Sequence, residues 1–61
     1  MKVRDVIKIV EKDGWYLVRQ KGSHRQFKHN SKKGIVTISG GNSLELHPKT
    51  LRSIFRQAKM Q

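Results

Sequence analysis

Trp15-Tyr16-Leu17-Val18-Arg19-Gln20-Lys21-Gly22-Ser23-His24-Arg25-Gln26-Phe27-Lys28-His29 is the stretch whose reading decides the fold. Its first part, Trp15 to Gln20, is rich in aromatic and large aliphatic residues and reads as a strand. Lys21, Gly22 and Ser23 supply a reversal, and His24 opens a second strand that runs to about His29. Alternation puts His24, Gln26 and Lys28 on one face of this strand and Arg25, Phe27 and His29 on the other. Phe27 is the expected core anchor, so His24 is expected to face solvent. An imidazole is thereby presented at the end of a glycine turn, in strongly basic surroundings.

Working outward, Asn30, Ser31, Lys32, Lys33 and Gly34 form a polar turn. Ile35 to Ser39 form a third strand, with Val36 and Ile38 on a common face. The three strands make an antiparallel meander. Gly40, Gly41, Asn42 and Ser43 then give a flexible connection to Pro48, which sits at the favoured first position of a helix whose apolar stripe is Leu51, Ile54, Phe55 and Ala58. On the other side of the hairpin, Val3, Val6, Ile7 and Val10 recur at helical spacing. Asp5 lies near the positive end of this helix, and Gly14 is placed to stop it, so a first helix spans roughly residues 3–13. Trp15 and Tyr16, at the helix-to-strand junction, read as core rather than as base-stacking residues. Two amphipathic helices bury their stripes only by packing on one face of the sheet. The expected fold is therefore α+β, in the order α-β-β-β-α. A three-stranded antiparallel sheet is covered on one face by two helices and open on the other, and residues 1–61 form a single domain.

The composition limits what such a domain does. The 61 residues include no cysteine, which excludes a disulfide framework and a thiolate metal site. No apolar run approaches the length of a membrane span or a signal peptide, and a cytoplasmic protein is expected. Fourteen Lys and Arg against four Asp and Glu give a net charge of +10, which favours polyanionic partners. The excess is uneven: residues 1–13 hold four bases and three acids, whereas residues 14–61 hold ten bases and only Glu45. A nucleic acid is expected to meet the part after Gly14.

Asp13, Gly14 and Trp15, then Arg19 through Phe27, and later Thr50, Leu51, Arg52, Ser53 and Ile54 together resemble the HicA toxin family. The resemblance runs over nearly the whole chain. It implies a fold similar to double-stranded RNA-binding domains. It also implies an mRNA endoribonuclease of a toxin-antitoxin module, inhibited by a HicB-type antitoxin, with the histidine of the glycine-serine-histidine step, here His24, as the catalytic residue. The chain departs from the family pattern in two places. Ser39, Gly40, Gly41 and Asn42 stand where many members carry proline and histidine, and Lys49 stands in place of a glycine.

The chemistry of the residues agrees with that implication. RNA cleavage without a metal needs the 2′-hydroxyl deprotonated as it attacks the adjacent phosphorus, and a neutral imidazole does this near pH 7. His24 is the expected base, and neither a metal nor another cofactor is expected. Gly22 and Ser23 let the backbone turn closely under a phosphate, while Lys21 and Lys28 supply positive charge to the phosphorus centre. The start of the last helix, with Lys49 and Arg52, is a second expected phosphate contact. Lys32 and Lys33 are expected to add only non-specific attraction. His29, facing away from His24, and His47, far along the chain, read as structural. Two other functions fit the same element order. One is a non-catalytic double-stranded RNA-binding module, and the other, less well supported by the single outward Arg52, Arg56 and Gln57 face, is a DNA-binding regulator.

Overall fold

The computed structural model describes residues 1–60. Helix α1 (Val3–Lys12) leads into strands β1 (Tyr16–Lys21), β2 (His24–Lys28) and β3 (Val36–Ile38), followed by helix α2 (Pro48–Gln57). The sheet is antiparallel with β2 in the centre. Element order, strand pairing and the open sheet face are those expected, and the boundaries differ by one or two residues.

Local chemistry accounts for the helix ends. At the start of α1 the Asp5 carboxylate accepts the Lys2 N–H at 3.2 Å. The free amides of Val3 and Arg4 donate to the carbonyls of Leu44 (3.0 Å) and Asn42 (3.2 Å), so the 42–46 segment closes this end. The N-terminal ammonium pairs with Glu45. At the other end Gly14 adopts φ 110, and a Cβ there would lie 2.6 Å from His29 Nε2. Only glycine fits both the backbone angle and the close approach. Helix α2 starts with Pro48, and the side chain of His47 accepts from the Lys49 amide at 3.1 Å.

The core lies between the helices and β2 and β3. Val3, Val6 and Val10 of α1 meet Phe27, Val36 and Ile38 of the sheet, with Ile54 and Ala58 closing from the α2 side. Trp15 is 1% exposed, as its junction position suggested, and its Nε1 is the one buried side-chain polar atom without a partner among the described residues. Tyr16 departs from expectation. It is 44% exposed, and every residue of β1 is exposed. Pairing with Lys28 sets Tyr16 on the open face of the sheet, where no helix lies above it.

The β1–β2 register contains an irregularity that matters for the site. Leu17 pairs with Phe27, but Arg19 pairs with Gln26, leaving Val18 as an extra residue on β1. A one-residue slip reverses the facing of everything beyond it. Arg19 and Lys21 therefore move to the open face, whereas strict alternation would have left them on the side of Leu17.

Candidate nucleic-acid interface

The β1–β2 turn places the histidine. Gly22 takes φ 59 at the first turn position, and its carbonyl accepts from Gln20 Nε2 at 3.0 Å. The tight reversal sets Lys21 directly opposite His24, and the next pairs along the ladder are Gln20 with Arg25 and Arg19 with Gln26. Gln26 in turn pairs with Thr37 of β3. Opposed residues share a face. Arg19, Lys21, His24, Gln26 and Thr37 accordingly line one cleft of about 340 Å³ on the open side of the sheet. Two cations, an exposed imidazole, an amide and a hydroxyl are thus gathered with no carboxylate among the lining residues.

His24 is held from the β3 side. Its Nδ1 lies 3.0 Å from Ser39 Oγ. The neighbouring Gly40 amide donates to the Ser23 carbonyl at 3.3 Å, extending the ladder past the last regular pair. Arg25, on the opposite face, donates to the Gly40 carbonyl at 3.3 Å and to Asn42 Oδ1 at 3.1 Å. The 39–42 loop is therefore fastened beside the histidine by backbone and guanidinium together.

Residues 3–60 match the family described as HicA toxin of bacterial toxin-antitoxin systems. The chain belongs to the HicA toxin family. A comparison with curated proteins returned no match. Membership in the HicA family makes this a toxin-type chain of a toxin-antitoxin module and implies an antitoxin partner. No helix among the described residues is long and apolar enough to cross a membrane.

The remaining residues singled out from the sequence are distributed unevenly in this HicA-family chain. Lys21, Gly22 and Ser23 adjoin His24 at the hairpin. Lys28 shares its face but pairs with Tyr16, four residues along β2, or about 13 Å away at strand rise. Lys49 and Arg52 belong to the helical layer on the other side of the sheet. The Lys49 amide is already taken by His47, and Arg52 lines a separate groove of about 380 Å³ with Phe55, Arg56 and Met60. The sequence reading did not pick out Arg19, Gln26, Thr37 or Ser39. The first of these was hidden by the bulge, and the others become visible only once the β2–β3 register is known.

His29 and His47 have structural roles. His29 Nε2 donates to the Asp13 carbonyl at 2.7 Å, and its Nδ1 accepts the amides of Ser31 (3.0 Å) and Lys32 (3.2 Å). Its ring meets Trp15 edge-on at 5.3 Å. Lys32 is not the loosely solvated turn lysine expected from the sequence. Its ammonium lies 2.6 Å from Asp13 Oδ2 and donates to the Ala58 carbonyl at 3.3 Å, joining the ends of both helices to the β2–β3 turn. The hydrogen bond from Lys32 holds the Asp13 carboxyl below its ordinary value, against an opposing effect of desolvation. Among the described residues no three His, Asp or Glu side chains converge in a metal-binding group.

Proposed function

We propose that this chain is an RNA-cleaving toxin in which His24 is the general base and Arg19 and Lys21 grip the scissile phosphate. The observation that carries the reading is the cleft itself: an exposed imidazole directly across the strand pair from a lysine, on a face gathered from donors and cations. His24 takes the proton of a 2′-hydroxyl, the 2′-oxygen bonds to phosphorus, and the bond to the 5′-oxygen breaks. The leaving oxygen takes a proton from water, and the products are a 2′,3′-cyclic phosphate and a 5′-hydroxyl end. Arg19 and Lys21 stabilise the charge that builds on the phosphoryl oxygens. The reaction needs no divalent metal, because imidazole supplies the base and the two cations supply the charge. A single base of this kind contributes about 10²- to 10⁴-fold in rate, suited to a slow nuclease.

The antitoxin is a HicB-type protein that covers the basic open face. The net charge of +10 favours an acidic partner whose affinity falls as salt rises.

The deciding experiment is cleavage of a long mRNA in EDTA by the native protein and by His24→Ala, with RNA binding followed in the same buffers. Cutting by the native chain, and binding without cutting by the variant, is the expected result. Equal binding by both with no cutting by either would instead make the chain a non-catalytic RNA-binding module.

A further inference from the structure

We infer that Ser39 is a positioning residue for His24: its Oγ accepts the Nδ1 hydrogen, selecting the tautomer that leaves Nε2 unprotonated for the substrate. This rests on the reading of His24 as the base. The Nδ1 to Oγ distance is 3.0 Å, and it is the one side-chain hydrogen bond His24 makes among the described residues. The two ring nitrogens point in different directions, so a partner on Nδ1 decides what Nε2 presents. If the serine accepts, Nε2 carries the lone pair and acts as a base. If the serine donates, Nε2 carries the hydrogen and is no base.

The surroundings decide between these. Arg19 and Lys21 line the same cleft as the imidazole and only donate, Gln26 and Thr37 donate or accept, and no carboxylate lines it. A positive field favours a lone pair on the nitrogen that does not face Ser39, and hence a hydrogen on Nδ1. Ser39 is exposed, so its own hydroxyl hydrogen is free to turn to water while the oxygen accepts. Once Nε2 has taken a proton, the Nδ1–H to Oγ bond persists and keeps the imidazolium in place. The loop that carries Ser39 is fixed by Arg25 through Gly40 and Asn42, so the acceptor is presented by anchored backbone.

The other two histidines provide internal standards. In His29 and His47 the Nδ1 atom accepts backbone amides, which requires the hydrogen on Nε2 in both. Only His24 is expected as the Nδ1–H form.

The test is imidazole ¹⁵N NMR of the intact chain above the titration range, alongside single-turnover cleavage. The native protein is expected to show His24 as the Nδ1–H tautomer against His29 and His47 as Nε2–H. Ser39→Ala is expected to give a mixed His24 signature and a loss of about 3- to 10-fold in cleavage rate with KM changed by less than about twofold. Ser39→Thr, which keeps the hydroxyl, is expected to restore both signals. A native His24 in the Nε2–H form overturns the inference, as does a Ser39→Ala protein whose His24 spectrum is unchanged. Because the spectrum is read without substrate, a native protein that cuts no RNA sinks the nuclease reading while the tautomer still tests Ser39.

Discussion

Replacing His29 by phenylalanine separates structure from chemistry in this small domain. The ring shape is kept and the contact with Trp15 survives, but three hydrogen bonds to backbone groups are removed: one to the Asp13 carbonyl and two from the Ser31 and Lys32 amides. A neutral hydrogen bond contributes about 0.5–1.5 kcal/mol net, and more is lost when its partner stays shielded from water. The Ser31 amide is exposed and recovers a water, so the expected loss is about 2–3 kcal/mol. A cysteine-free domain of this length has about 3–5 kcal/mol in total, so the variant keeps only a small margin. Urea unfolding followed by Trp15 fluorescence reads this directly, since Trp15 is the only tryptophan and is buried. With a slope near 1 kcal/mol per molar, the midpoint should fall by about 2–3 M. His24→Ala, at an exposed position with one side-chain bond, should shift the free energy by no more than about 0.5 kcal/mol while abolishing cleavage. A fall below about 0.5 M for His29→Phe would show that the turn and the end of α1 are held by other contacts, and the reasoning would fail.

Gly14→Ala should cost about 1–3 kcal/mol in the same urea assay, because φ 110 and the approach to His29 both exclude a Cβ. Gly41→Ala, at an open position without a positive φ, should be neutral or stabilising by up to about 1 kcal/mol. Lys32→Met removes the partner that lowers the Asp13 carboxyl. Since the folded carboxyl titrates below its unfolded value, the pair adds stability above pH 3.8 and loses it as pH falls through the lower folded value. Thermal melts of native and variant protein should differ fully at neutral pH and converge in acid, and a gap independent of pH would refute the pairing. Arg19→Gln and Lys21→Gln should each flatten the log-log salt dependence of binding to single-stranded RNA by about 0.7, one phosphate contact apiece, measured by fluorescence anisotropy.

Much of the fold was legible because each element carries one clear period. The Val3, Val6, Val10 stripe, the Phe27 alternation and the Val36, Ile38 pair all point at the layer they join, Gly14 marks a boundary that only glycine fits, and Pro48 marks one where proline is favoured. The candidate site was legible at His24 and Lys21, where a two-residue turn forces direct opposition. It was hidden at Arg19, because the single extra residue Val18 reverses facing without any compositional mark. It was hidden again at Ser39, whose partner is fifteen residues away and depends on the β2–β3 register. Tyr16 and Lys32 misled for opposite reasons. A large aromatic next to a buried one fell on the open face, opposite Lys28, while a turn lysine met a carboxylate brought near by the end of α1.

The absence of any buried residue in β1 has a consequence for how such a toxin diversifies. This strand supplies Arg19 and Lys21 to the cleft yet gives no side chain to the interior, so its outward residues can be exchanged with little effect on folding. On the proposed reading, in which RNA and antitoxin meet the open face, their recognition is free to drift along a strand that the rest of the molecule constrains little. β2 lacks that latitude, since His24 and Phe27 sit three residues apart on opposite duties, and a shift in one register position would exchange the reactive face for the packed one.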